Sequence, residues 1–265
     1  MKHPNFLTAP NCAEDVINNL STHWHGSLEL YSDCLRTAFK GFEPIFTNES
    51  YADFYLKCSS NVQAWIPSNI LANAKKESDG SKLLYEFWRR IHGDDLLEDD
   101  VMYHIKDEIR HSKLFITLAE LAFPQLSNEP FISETRSNLF SLNESDATKH
   151  AKPLSHNEII DHLVQMNLGE IRTRIHISMI APIIVAFTPE INRSKVKALL
   201  AALVDDETSH IAYTAKHLER FANTIGVQKI KELFVRRLRD LHQYTILETE
   251  AAVNEYAPEM KTALH

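Results

Sequence analysis

The chain has 265 residues, of which 44% are hydrophobic and 24% are charged, and its formal net charge is −8. These values are typical of a globular protein with a sizeable core. The acidic balance, without a dense cluster of lysine or arginine, argues against a nucleic-acid partner. Three scattered cysteines are too few for a disulfide framework and are typical of reduced cytosolic thiols.

Neither the first residues nor the most apolar run of the sequence is typical of a membrane protein. The first residues, Met1-Lys2-His3-Pro4-Asn5, lack the apolar stretch of a signal peptide. The most apolar run, residues 175–187, is too short to cross a bilayer. We therefore expect a soluble, cytoplasmic protein with no membrane partner.

The first half of the chain shows helical periodicity. Apolar residues recur every three or four positions over residues 13–40, which predicts one helix that ends at Gly41. A second helical region covers residues 51–91, where Pro67 should kink or restart it. A third helix is predicted over residues 97–123, because Pro124 ends the pattern.

The second half repeats this arrangement after a break. Residues 125–155 are polar with little periodicity, which is typical of a crossover or a functional lid. A fourth helix is predicted from residue 156 to 187, bent at Pro182, followed by a fifth that carries residues 196–221. A last helix follows Gly226 over residues 228–256. The sequence predicts an all-α protein with a single domain over residues 1–265.

A duplicated motif stands out on two of these helices. Asp-Glu-x-x-His occurs at Asp107-Glu108-Ile109-Arg110-His111 and again at Asp206-Glu207-Thr208-Ser209-His210. Residues three apart share one face of a helix, so each pair can direct a carboxylate and an imidazole at one point. The chain contains no other Glu-x-x-His.

Two further glutamates follow from the predicted hairpins. Antiparallel helices bring two residues to one level when the turn lies midway between them. The midpoint of Glu77 and Glu108 falls at the predicted turn near Gly93, and that of Glu170 and Glu207 falls beside Pro189. The other candidate on the first of these helices, Glu86, shares its face with lysine and arginine and should be solvated.

Four carboxylates inside an apolar bundle would repel one another and lose hydration. Two divalent cations would neutralise them, and oxygen-rich ligation with one nitrogen per ion suits iron or manganese. The alternative is a metal-free polar core in which the carboxylates are protonated or paired with Arg110, Arg172 and Arg174. Both interpretations stay open at this point.

At these residues the sequence resembles the ferritin-like dinuclear iron carboxylate superfamily, over about residues 51–224. The resemblance implies a four-helix bundle with additional N- and C-terminal helices. It implies six metal ligands: Glu77, Glu108, His111, Glu170, Glu207 and His210. Asp107 and Asp206 would each orient the histidine of the opposite motif. His104 is either an additional ligand or a core or surface histidine.

The resemblance also bears on function. Phe115 occupies the place of the radical tyrosine of reductase small subunits, which argues against that activity. We expect an O2-activating non-heme diiron oxidase or oxygenase that hydroxylates, N-oxygenates, desaturates or cleaves a small organic substrate. A manganese/iron pair, an electron-donor partner and a homodimer are compatible with it. The alternatives are an iron-handling or peroxide-scavenging protein and a metal-free helical interaction protein.

Overall fold

A computed structural model describes residues 9–142 and 152–263, and all regular structure within these ranges is helical. Short 3-10 helices occur at Ile45–Thr47, Pro124–Leu126, Glu190–Asn192 and Pro258–Ala263. The α-helices of the described residues are α1 (Ala9–Leu20), α2 (Glu29–Gly41), α3 (Glu49–Asn61), α4 (Trp65–Trp88), α5 (Asp95–Ala122), α6 (Pro130–Ser137), α7 (His156–Phe187), α8 (Arg193–Ile225) and α9 (Val227–Tyr256). The all-α prediction is confirmed, whereas the ferritin-like arrangement stays a prediction.

The chain forms two compact units. The first unit contains the described residues up to Trp65, together with Ile160–Pro182 and the residues from Val204 onward. The second unit contains Ile66–Ile159 and Ile183–Leu203. Helices α7 and α8 therefore contribute residues to both units, and the single-domain prediction stays untested.

In the first unit, the predicted single helix over residues 13–40 is wrong. Residues 21–28 separate α1 from α2, and Gly26 lies so close to the Trp24 indole that a Cβ would stand 2.5 Å from Nε1. The first N–H groups of α2 lack partners within that helix. The Glu219 carboxylate accepts hydrogen bonds from Leu30 N at 3.2 Å and Tyr31 N at 2.7 Å. A contact 188 residues away in sequence thus fixes where α2 begins.

In the second unit, α4 and α5 form the predicted hairpin. Pro67 lies in the first turn of α4, where an N–H has no partner within the helix, so the chain restarts rather than kinks there. The turn into α5 uses Gly93 at φ +77°, a conformation that favours glycine. The Asp94 side chain then accepts a hydrogen bond from Leu97 N at 3.3 Å and caps α5.

The predicted crossover over residues 125–155 contains helix α6, which the weak periodicity did not reveal. Its described parts are attached to α4 and α5. Arg136 binds Glu120 at 2.7 Å, and Phe140 N donates to Ser78 Oγ at 2.7 Å. Residues 143–151 of this segment lie outside the described residues, as do residues 1–8, on which the signal-peptide prediction depends.

Helix α7 begins where a capping box predicts a helix start. The Ser155 hydroxyl and the Glu158 carboxylate exchange hydrogen bonds with each other's backbone N–H groups. The helix continues past the exposed Pro182 to residue 187. Among the described residues, no helix is long and apolar enough to cross a membrane.

Candidate metal centre

Three predicted ligands meet in the second unit, and we call them the Glu77 triad: Glu77 on α4 with Glu108 and His111 on α5. They are buried, with exposed fractions of 8% for Glu77, 5% for Glu108 and 0% for His111. Each offers a ligand atom, and these atoms lie within 4.8 Å of one another. The competing Glu86 side chain is 61% exposed, as its charged helix face predicts.

The distances within the Glu77 triad suit one metal ion. His111 Nδ1 lies 3.7 Å from Glu108 Oε1 and 4.0 Å from Glu77 Oε2. Oxygen and nitrogen ligands stand about 2.0–2.2 Å from a bound zinc ion, so two ligands of one such ion can be up to about 4.4 Å apart. The donor set and its geometry therefore fit a divalent cation, and this buried cluster can hold one.

His104 adds a second imidazole to the Glu77 triad. It is fully buried, and its Nε2 lies 3.1 Å from Glu108 Oε1, one helical turn along α5. The surface-histidine interpretation is therefore wrong, because the ring lies in the core against a predicted ligand. Whether His104 binds a metal itself stays a prediction.

Local charges favour the ionised form of Glu108. Burial by itself raises the pKa of Glu108, but hydrogen bonds with Glu77 and His104 and the charge of the neighbouring imidazoles outweigh it. The pKa of Glu108 therefore lies well below its usual range. An ionised carboxylate is the form that coordinates a metal.

Two small residues line α4 beside this cluster. A Cβ built on Gly80 would stand 3.6 Å from Glu108 Oε2, which is ordinary contact distance. Ser81 is fully buried and donates its hydroxyl to Ser78 O at 2.7 Å. Gly80 therefore lies against Glu108, and a bulky side chain there would press on the Glu108 carboxylate.

The first unit contains the other three predicted ligands, which we call the Glu170 triad: Glu170 on α7 with Glu207 and His210 on α8. Glu207 and His210 are buried, and His210 Nδ1 lies 3.5 Å from Glu207 Oε2. Glu170 is half-buried and offers a ligand atom within 4.8 Å of His210. Glu170 and His210 therefore lie on facing surfaces of the two helices, and Glu207 lies beside His210 on α8.

Hydrogen bonds fix the antiparallel register of α7 and α8 in this unit. Asn167 Nδ2 donates to Thr214 Oγ1 at 2.9 Å, and Arg174 Nε donates to Thr208 Oγ1 at 3.2 Å. The sequence did not assign Asn167 or Thr214 to the site. The available signal was an asparagine and a threonine on otherwise apolar, inward-facing stripes.

The two motif aspartates differ in their surroundings. Asp107 is buried and accepts a hydrogen bond from Arg110 Nη2 at 2.6 Å, whereas Asp206 is half-buried. Their predicted role, orienting the ligand histidines, stays a prediction.

The three arginines of the metal-free alternative have acidic partners outside the predicted ligand set. Arg110 binds Asp107, Arg172 binds Glu248 at 2.8 Å, and Arg174 binds Asp15 at 2.7 Å. These ion pairs weaken the argument that the same arginines neutralise the four glutamates.

Comparisons of the chain with protein-family models, with curated proteins and with solved structures found no match.

Proposed function

We propose that the protein is an O2-activating non-heme diiron oxidase or oxygenase that acts on a small organic substrate. The observation that carries the proposal is the Glu77 triad, in which two carboxylates and an imidazole meet in a buried part of the second unit. The duplicated Asp-Glu-x-x-His motif extends the argument to the Glu170 triad, because the same residue types recur at the same spacing.

Charge balance favours metal binding over an empty polar core. Glu77, Glu108 and Glu207 are each 8% exposed or less, and ionised carboxylates that are buried close together repel one another and lose hydration. One divalent cation per triad would neutralise two carboxylates. A helical interaction protein would not need carboxylates at these positions, because apolar side chains can be buried there without losing favourable hydration.

The proposed ligands divide equally between two ions. The Glu77 triad would hold one ion and the Glu170 triad the other, each with two carboxylates and one imidazole. This hard, oxygen-rich set suits iron or a manganese/iron pair better than zinc in a closed structural site. When bound, such ions supply the redox chemistry that reduces O2 and oxidises the substrate.

The chain's own residues would prepare that chemistry. The hydrogen bond with His104 favours the ionised form of Glu108, and His111 is fully buried on α5. Burial of the Glu77 triad, and of Glu207 and His210, limits access of bulk water, which strengthens electrostatic interactions there. Electrons must come from a donor protein or a small reductant, and a homodimer is compatible with the proposal.

Oxygen uptake by iron-loaded protein tests this function. With a reductant present, O2 consumption should increase several-fold when a suitable small organic molecule is added from a panel of amines, carboxylic acids and aromatic compounds. The ferritin-like alternative predicts O2 uptake driven by Fe²⁺ alone and iron accumulation well beyond two ions per chain. That second outcome would contradict a dedicated organic oxidase.

A further inference from the structure

A fully buried amide lies one turn from the Glu170 triad. The Asn167 side chain on α7 is 0% exposed and has three hydrogen-bond partners. Its Nδ2 donates to Thr214 Oγ1 at 2.9 Å and to Ile211 O at 3.2 Å, and its Oδ1 accepts from Tyr31 OH at 3.1 Å. A buried amide is costly unless it is bonded, so this one joins α2, α7 and α8 at a defined geometry.

The Asn167–Thr214 hydrogen bond lies about one turn from a predicted ligand on both α7 and α8. Asn167 precedes Glu170 by three residues on α7, and Thr214 follows His210 by four residues on α8. The Thr214 hydroxyl also donates to His210 O at 2.8 Å. A shift of α7 along α8 would therefore break the Asn167–Thr214 bond as it separated Glu170 from His210.

The duplicated motif provides an internal comparison. The residue three before Glu77 is Ala74, and the residue four after His111 is Phe115, and both are fully buried and apolar. Apolar contacts are non-directional, whereas a hydrogen bond requires a narrow range of distance and angle. The polar contact at these matched positions belongs to the Glu170 triad.

We propose that Asn167, acting through Thr214, is a positioning residue that fixes the separation of Glu170 and His210 as metal ligands. This inference rests on the proposed function, because it assumes that the Glu170 triad binds an ion. Loss of a residue that orients a ligand typically weakens metal binding by about 10- to 100-fold. We expect about tenfold here, because Thr214 acts on the ligands through one hydrogen bond.

The test uses anaerobic Fe²⁺ titration in two variant backgrounds. His111→Ala should leave Fe²⁺ binding at the Glu170 triad, and His210→Ala should leave binding at the Glu77 triad. Thr214→Val, which keeps the side-chain shape but removes the hydroxyl, should weaken Fe²⁺ binding about tenfold in the first background and less than twofold in the second. Thr214→Ser restores the hydroxyl and should recover the affinity.

A second variant distinguishes the loss of ligand positioning from misfolding. Asn167→Leu combined with Tyr31→Phe removes the amide together with its phenol partner, so neither is left buried without a hydrogen bond. Circular dichroism should show that this protein is helical, and its Fe²⁺ affinity should fall in the His111→Ala background alone. Equal weakening in both backgrounds, or no weakening in either, would overturn the positioning role.

The outcomes also separate this inference from the proposed function. Wild-type protein that folds but binds no Fe²⁺ would overturn both. Wild-type protein that binds two ions, with Thr214→Val unchanged, would overturn the positioning role and leave the diiron proposal standing.

Discussion

The two Asp-Glu-x-x-His motifs contain the same residue types but stand in different surroundings. In the second unit, Glu108 contacts the buried imidazole of His104 at 3.1 Å. In the other motif, the position matching His104 is Leu203, which is fully buried and apolar. There, the Asn167–Thr214 bond provides the polar contact instead. The same ligand chemistry can thus be supported by a partner of the carboxylate or by a bond between helices.

The basic residues near the motifs differ in the same way. Arg110 lies within the first Asp-Glu-x-x-His motif and binds Asp107, one turn away on α5. At the matching position of the other motif stands Ser209, and the nearby guanidinium comes from Arg174 on α7, which binds Thr208. The Arg110–Asp107 contact therefore lies within one helix, whereas the Arg174–Thr208 contact joins two helices.

Removal of a ligand should have the largest effect and would sharpen the comparison. Glu77→Ala should lower Fe²⁺ binding from two ions per chain to one and abolish O2 consumption, because it removes a direct ligand. Fe²⁺ affinity at the affected triad should fall by more than about 100-fold, beyond the loss typical of a residue outside the ligand set. Glu86→Ala is the matched control on α4, since its side chain is 61% exposed. If Glu86→Ala lost iron and Glu77→Ala retained it, the assignment of the ligand on α4 would be wrong.

Removal of the imidazole that contacts Glu108 should have the next largest effect. His104→Ala should weaken Fe²⁺ binding at the Glu77 triad by about 10- to 100-fold, because Glu108 loses its hydrogen-bond partner. Binding at the Glu170 triad should fall less, because Glu108 is not among its ligands. The exposed His25 provides the control as His25→Ala. Titration calorimetry under argon measures both affinities. Equal losses at both triads would contradict the claim that His104 supports the Glu77 triad through Glu108.

The motif aspartates should tune the ligands rather than bind metal. Asp206→Asn should still bind two ions, about tenfold more weakly and with altered O2 consumption, because its amide is a poorer acceptor for a histidine N–H. Asp205→Asn is the neighbouring control, since that side chain is 75% exposed. Wild-type affinity and O2 consumption in Asp206→Asn would show that Asp206 does not act on a ligand.

Two helical glycines offer the smallest and most local test. Gly80 faces Glu108 Oε2, whereas Gly169, next to Glu170, has open space around its Cβ position. Alanine at either site should raise the free energy of unfolding by up to about 1 kcal/mol, because glycine is a poor helix former. Leucine substitutions should distinguish the two glycine positions. Gly80→Leu should weaken Fe²⁺ binding at the Glu77 triad or block substrate-dependent O2 consumption, and Gly169→Leu should do neither. Identical behaviour of the two leucine variants would contradict the close packing inferred at Gly80.

Helical periodicity predicted the elements that present the candidate ligands. The hairpin midpoint selected Glu77, which is buried, and the charged helix face placed Glu86 in solvent. The predicted turns near Gly93 and Pro189 agree with the ends of α4, α5 and α7. These features are local, because one turn of helix and its caps lie within a few residues in sequence.

The features that the sequence did not reveal depend on distant contacts. The break between α1 and α2 is stabilised by Glu219, 188 residues from Tyr31. The bond between Tyr31 and Asn167 spans 136 residues, and the one between Asn167 and Thr214 spans 47. Such pairs leave no periodic pattern, so a single sequence identifies their members only as polar residues on apolar stripes. Helix α6 was missed for a simpler reason, because its eight residues contain one buried side chain.

The number of iron ions bound per folded chain tests the central claim most directly. Anaerobic Fe²⁺ titration of the full chain, followed by metal analysis after desalting, should give two ions for wild type. His111→Ala and His210→Ala should each retain one ion, because each removes a ligand from one triad. A helical wild-type protein that binds less than about half an equivalent of Fe²⁺ would contradict the account, since the four glutamates would then form a polar core that does not bind metal.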